Sequence, residues 1–342
     1  MTGVHLDRRQ ILKGMGMLAG IAASTMPRSS YSLSRIPVDL LQQTLGQLGY
    51  MQPDWITGAP NEFTDRAVVR FKRHASRPYR ISPVGKPEDV ASASDRFTGD
   101  CEDPAITEQT AQELSRWVTR GWRLPLGRFK FDSLAESGRP ASNSLKWSLL
   151  REDAAKAWRA VMREVDQRGA TISEPYGDTR RPLGHDRKEG VSRTSVHICG
   201  RAVDLNQNLT LIRGQRYFLS PEEAEGRMYF RLYCLTSRQN GSQGVLLQDR
   251  QVKQWRSGLK GELFIPRGWY VDVTKLFDAA KFERIAAHAV WEKYDIYSEW
   301  WHYQYNVDLQ DTFLDECELV GISEKELLTA KYTIEEMDRE PG

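Results

Sequence analysis

An α+β domain, its antiparallel sheet flanked by helices and preceded by a small three-helix domain, is the fold class that this 342-residue sequence predicts. Three observations lead there. Near the amino end Leu41, Leu45 and Leu48, then Ala67, Val68 and Phe71, recur at helical spacing, with a glycine-containing loop between the stripes. From residue 146 to 330, short β-branched and aromatic runs are interspersed with helical stripes in the order helix, strands, helix, strand, which suits an antiparallel α+β sheet. Between the two halves, residues 122–145 carry scattered Gly, Pro and Ser and read as a linker.

The elements follow in order. The leucine stripe gives a first helix that Gly49 stops. Thr64 and Asp65 precede the second stripe, and Ile106, Thr107, Thr110 and Leu114 mark a third helix, so the helical domain spans 36–121. Within it, residues 75–104 are polar and rich in Ser, Pro and Asp and read as an insertion. A helix is expected over 147–165, with Leu149, Ala154, Ala155, Trp158, Val161, Met162 and Val165 as its apolar positions. Strands are expected at 171–173, 201–205, 262–265 and 269–273. Thr274 is a candidate cap for a helix carrying Leu276, Phe277, Phe282, Ile285 and Ala286. The aromatic run 300–305 favours a last strand. The polar, turn-rich stretch 234–244 reads as a loop near a cleft, inside a long 205–298 insertion.

The ends and the composition narrow the setting. Asp7-Arg8-Arg9-Gln10-Ile11-Leu12-Lys13 resembles a twin-arginine export signal, and the weakly apolar stretch 14–23 has the length of a signal core. Residues 1–30 are therefore set apart as a targeting segment, and the expected location is the periplasm or cell envelope. No later segment approaches the roughly 20 apolar residues of a membrane helix, so no stable membrane span is expected. A formal net charge of +2 gives no global pull toward nucleic acid. The four cysteines match no zinc-ribbon spacing, and their pairing cannot be read. Cys199 would share the face of His197 if that histidine lay on a strand, but a buried structural thiol is the expected role. Nothing indicates an oligomeric state.

The chemistry concentrates in Ser195-Val196-His197-Ile198-Cys199-Gly200-Arg201-Ala202-Val203-Asp204, answered downstream by Glu299-Trp300-Trp301-His302. Two histidines and one aspartate can hold Zn²⁺ and leave a fourth position for water. Glu299, three residues before the last histidine, is a candidate base for that water. On a regular strand Glu299 and His302 would point to opposite faces, so Glu299 must sit on a bend before the strand. Trp300 and Trp301 suit either the core or a cleft wall.

The ordered pair Ser-x-His-x-x-Gly-x-Ala-x-Asp and Glu-x-x-His resembles the zinc D-alanyl-D-alanine carboxypeptidases and their relatives, the LAS group of peptidoglycan peptidases. The resemblance implies a Zn²⁺ cofactor on His197, Asp204 and His302, with Glu299 taking a proton from water and passing it to the leaving amine. It implies an arginine for the carboxylate of the substrate. In Tyr176-Gly177-Asp178-Thr179-Arg180-Arg181-Pro182, which departs from the family's Tyr-Arg-Ser wording, Arg180 is the better match and Arg181 the next. Ser195 is placed with these substrate-side residues, supporting the site by hydrogen bonding, and Gly200 is expected to allow a tight turn. Leu41-Gln42-x-x-Leu45-x-x-Leu48-Gly49-Tyr50 with Thr64-x-x-Ala67-Val68-x-x-Phe71 resembles the small helical peptidoglycan-binding domain, which implies peptidoglycan as partner. The implied function is hydrolysis of peptide bonds in peptidoglycan stems, as a D,D-carboxypeptidase or an endopeptidase. The alternatives are a non-catalytic cell-wall-binding protein on the same fold, and a zinc peptidase or amidase with a non-wall substrate.

Overall fold

The computed structural model describes residues 36–77, 79–81, 87–89, 96–124, 126–135, 148–172, 178–184, 192–205, 217–253, 263–294 and 297–342. The export-signal expectation falls outside these residues. The chain divides into two compact units, one up to Arg128 and the other Phe129–Gly342.

Among its described residues the first unit holds three α-helices, α1 (Val38–Leu48), α2 (Glu62–Ser76) and α3 (Glu108–Arg120), with a short hairpin of β1 (Tyr79–Ile81) and β2 (Pro87–Asp89) inside the expected insertion. Leu45 and Phe71 are fully buried, with Leu48, Val68, Leu114 and Trp117 around them. Fully burying one such side chain is worth about 1.5–3 kcal/mol. Gly49 ends α1 in the left-handed conformation, as its position implied. Asn61 caps α2, accepting from the Thr64 amide. Thr107 and Thr110 close a capping box on α3. Buried Gln42 donates to the Ala59 carbonyl and to Thr64 Oγ1, and its Oε1 accepts from the Thr57 and Gly58 amides. One glutamine therefore fixes the loop between α1 and α2.

The second unit is α+β with antiparallel sheets throughout. Its core strands are β3 (Phe131–Ser133) paired with β4 (Leu149–Arg151), and β5 (Ala202–Asp204), β12 (Phe282–Arg284) and β13 (His302–Tyr305) in the order β12-β13-β5. A four-stranded sheet runs β6-β7-β11-β8, from β6 (Tyr217–Ala224), β7 (Arg227–Leu235), β8 (Val245–Leu247) and β11 (Gly268–Asp272). β9 (Gln251–Val252) and β10 (Leu263–Phe264) form a small pair of their own. Helix α4 (Glu152–Gln167) buries Ala154, Ala155, Trp158, Val161 and Val165, the spacing of one helical face. Trp158 meets Phe277 of α5 (Val273–Ala279), and Phe277 stacks on Tyr303 at 4.1 Å. The aromatic contacts seat β13, which carries His302, on the main core.

Several expectations need correction. The stretch 122–145 is not all linker: Phe131–Ser133 pairs with Leu149–Arg151, so the second unit begins at Phe129. Residues 149–151 are strand, and the helix starts only at Glu152. Thr171 and Ile172 lie in no strand. Asp272, not Thr274, caps α5, because its carboxylate reaches the Lys275 amide while Thr274 turns inward to the Leu232 amide. That helix ends at Ala279; Lys281 takes a positive φ, and Phe282 begins β12 instead of extending the apolar stripe. The 205–298 insertion supplies the four-stranded sheet, and Val245–Leu247 beside the expected loop is one of its strands.

The second unit also continues past residue 330. Helices α6 (Phe313–Leu319), α7 (Glu324–Thr329) and α8 (Ile334–Met337) are capped by Thr312, Ser323 and Thr333. Phe313, Leu314 and Cys317 pack on Ile198 and Cys199, and the Gly342 amide bonds the Thr194 carbonyl at 3.0 Å. Under this cap lies a buried ionic network. Arg151 reaches Glu316 Oε1 at 2.7 Å, Arg201 pairs with the same oxygen, and Glu316 Oε2 accepts from the Gln310 amide at 3.1 Å. The Arg201 guanidinium also donates to the carbonyls of Tyr305, Val307 and Asp308. Arg201 thus ties the segment between His197 and Asp204 to the chain leaving β13. Glu316→Ala removes the carboxylate that pairs with fully buried Arg201, while Arg151 keeps its pairing with Asp153, and breaking such a buried pair costs about 3–5 kcal/mol. Urea unfolding should show that loss, and one below about 1 kcal/mol would contradict a structural role for the network.

Candidate metal centre

Three elements deliver three acceptor atoms to one point. Asp204 and His302 are direct cross-strand partners of β5 and β13, so the sheet register puts both side chains on one face. His197 comes from a compact turn ahead of β5. In that turn the Ile198 amide bonds the Ser195 carbonyl at 3.0 Å, the Gly200 amide bonds the His197 carbonyl at 3.0 Å and the Arg201 amide bonds the Val196 carbonyl at 3.0 Å. Gly200 is required twice over: its φ is +66°, and a Cβ there would lie 2.8 Å from the Arg151 amide nitrogen. His197 Nε2 lies 3.3 Å from Asp204 Oδ1 and 3.3 Å from His302 Nδ1, and His302 Nδ1 lies 3.0 Å from Asp204 Oδ1. All three residues are buried, and together they could hold a metal ion.

The outward atoms decide what the inward atoms are. His197 Nδ1 is 2.6 Å from the Thr179 carbonyl, which can only accept, so Nδ1 carries the proton and Nε2 turns a lone pair inward. His302 Nε2 has Gln304 Oε1 at 3.4 Å as its outward neighbour. Burial alone would push the Asp204 carboxyl up, but hydrogen bonding to His197 and His302 and the nearness of both imidazoles outweigh it. They hold the carboxyl well below the usual carboxylate range. Without an ion those inward nitrogens can hydrogen-bond the carboxylate; with both rings neutral and the inward nitrogens unprotonated, a carboxylate and two lone pairs would converge on one point, an arrangement that a cation between them relieves.

Glu299 occupies a bend, as its spacing from His302 required. Its φ is +52°, and its carbonyl accepts the His302 amide at 3.1 Å, closing a turn just before β13. Burial pushes its carboxyl above the ordinary range; His302 and His288 oppose that rise, and Asp204 adds to it. His288, to which no role was assigned from sequence, lies with Nε2 3.5 Å from Glu299 Oε1. No motif spacing marks His288, because the long β12–β13 connection brings it there.

The other predicted residues separate. Arg181 donates to Asp178 at 2.9 Å and lies 3.6 Å from Asp204 Oδ2, while its amide bonds the His197 carbonyl at 3.1 Å. The exposed Arg180 lays its guanidinium over the Phe131 ring at 3.9 Å. Ser195 is buried, and its hydroxyl accepts from the His197 amide at 3.4 Å; the contact that the structure gives it is to the turn. Cys199, since His197 lies on a turn and not a strand, packs against Cys317 with sulfurs 3.5 Å apart in the cluster beneath α6. Trp300 and Trp301 belong to the core. No helix among the described residues is long and apolar enough to cross a membrane. Comparison with protein-family models, with curated proteins and with solved structures finds no match to the chain.

Proposed function

We propose that this protein is a zinc-dependent peptidase that hydrolyses peptide bonds in peptidoglycan stem peptides, as a D,D-carboxypeptidase or an endopeptidase of the LAS type. The observation that carries the reading is the convergence of His197 Nε2, Asp204 Oδ1 and His302 Nδ1 beside the half-buried carboxylate of Glu299, which is not among the converging groups. Two imidazoles and one carboxylate suit Zn²⁺. Zinc–ligand bonds of about 2.0–2.1 Å in a tetrahedron place ligand atoms about 3.3 Å apart, close to the 3.0–3.3 Å separations here. Three protein ligands leave the fourth position open, the mark of a catalytic rather than a structural site. Zinc held there supplies Lewis acidity and brings the pKa of water to about 7.

The protein's own groups have distinct tasks in this reading. Asp204 neutralises part of the cation's charge, and Arg181 restrains its second oxygen. Thr179 sets the tautomer of His197. Glu299 takes a proton from the attacking water and returns it to the departing amine; burial raises its basicity for that exchange. Arg180, planar and exposed, takes the carboxylate of the stem peptide through two parallel hydrogen bonds. The first unit, with the leucine and phenylalanine stripes of a peptidoglycan-binding domain, holds the wall polymer and raises the local substrate concentration. Arg8 and Arg9 direct export to the envelope.

Incubating the zinc-loaded full chain with purified peptidoglycan, then identifying the soluble products by mass spectrometry, tests the reading. Released D-alanine or newly cleaved stem peptides are expected. Intact stems after prolonged incubation with stoichiometric zinc would overturn it.

A further inference from the structure

We propose that His288 is the positioning residue of Glu299. The inference rests on the peptidase reading of the metal centre and adds a residue that the metal motif does not contain.

The loop joining β12 to β13 is pinned at its base. The Ala287 amide bonds the Met228 carbonyl of β7 at 2.8 Å, and the His288 amide bonds the Tyr297 carbonyl at 2.9 Å, drawing the two sides of the loop together. Trp291 anchors the span between them: its ring meets Phe230 edge-on at 5.1 Å, and Lys253 Nζ lies 5.0 Å from its centroid. His288 is thereby held by backbone on both sides, while its ring packs edge-on against Tyr297 at 5.6 Å. Its Nε2 faces Glu299 Oε1 at 3.5 Å.

The two partners differ in a way that gives the contact a purpose. The Glu299 side chain is 19% exposed and that of His288 is 59% exposed, so the imidazole stands on the solvent side of the carboxylate. Glu299 also starts from a left-handed backbone, which non-glycine residues adopt at a cost, so the side chain has no regular element to direct it. An imidazole N–H on Oε1 restricts the carboxylate's rotation and leaves Oε2 for water. Asp204 and His302 are the other ionisable groups that act on Glu299, and both belong to the metal cluster. Among the described residues, His288 is thus the group outside that cluster that faces the base. Partners that orient catalytic groups in this manner are typically worth 10–100-fold.

The test compares zinc-loaded wild type, His288→Ala and Lys293→Ala on purified peptidoglycan. Lys293 lies on the same loop, and its variant controls for changes to the loop that do not involve the imidazole. His288→Ala should lower kcat by about 10–100-fold with KM and zinc content unchanged, and added imidazole should recover part of the loss. Lys293→Ala should match wild type. A crystal structure of His288→Ala should show the Glu299 carboxylate displaced, a readout that needs no turnover. Unaltered kcat, a loss of zinc, failure of imidazole rescue or an unmoved Glu299 would each overturn the proposal. A wild type that cleaves nothing would instead sink the peptidase reading, and the Glu299 position would still decide whether His288 orients it.

Discussion

Glu299→Gln should keep one zinc per chain and lose about 10²–10⁴-fold in turnover on peptidoglycan. The substitution retains the size and hydrogen-bonding capacity of the side chain but cannot take a proton. Because Glu299 is no ligand in the converging set, metal content is the control that separates loss of the base from loss of the site. The pH dependence carries a sign. Burial holds the Glu299 carboxyl of the metal-free protein above its ordinary value, and a bound cation nearby favours the ionised form; the base must be ionised, so kcat/KM should fall as pH drops through the titration of that carboxyl. The same shift makes a stability statement. A carboxyl raised in the folded state contributes stability below its unfolded value and loses that contribution as pH rises through the folded one. At neutral pH the metal-free glutamine variant should therefore melt no lower than metal-free wild type. Near wild-type turnover would assign the base elsewhere, and a lower melting temperature would contradict the burial argument.

His197→Ala should abolish stoichiometric zinc, and with it all measurable hydrolysis. The side chain supplies one of three inward atoms, and its Nδ1 contact to the Thr179 carbonyl holds the ring in place. Removing it leaves Asp204 and His302 as two inward ligands, one fewer than the three protein ligands of a catalytic zinc site. Metal analysis after dialysis against one equivalent of zinc reads the result. Full retention in the variant would mean that the ion binds elsewhere.

Much of the centre was legible because its spacing carries geometry. Asp204 and His302 were named together from the motif they resemble, and the structure sets them directly opposite each other across two strands. The period-2 rule alone required a bend at Glu299, and its positive φ is that bend. The helical stripes of the first unit were equally plain. The β6–β7 hairpin was not, because its polar positions do not alternate cleanly. Arg231 pairs with Glu222 and Asp272, so charges lie along the sheet where a solvent-facing strand would be expected to separate them. Its two-residue turn, Glu225-Gly226, has positive φ at both positions and gives only a weak glycine signal. The break after α5 is made by Lys281, a residue with no propensity for the left-handed region, so the stripe seemed to continue through Phe282. His288 reaches Glu299 through tertiary contacts of Trp291 and Tyr297, which no local pattern encodes.

X-ray absorption at the zinc edge, on the full chain loaded with one equivalent of zinc, tests the metal centre most directly. Two imidazole nitrogens, one carboxylate oxygen and one further light atom at about 2.0–2.1 Å are predicted, with no sulfur. A sulfur shell near 2.3 Å, which would draw in a cysteine such as Cys199, or a spectrum without imidazole scattering, would contradict the assignment of His197, Asp204 and His302.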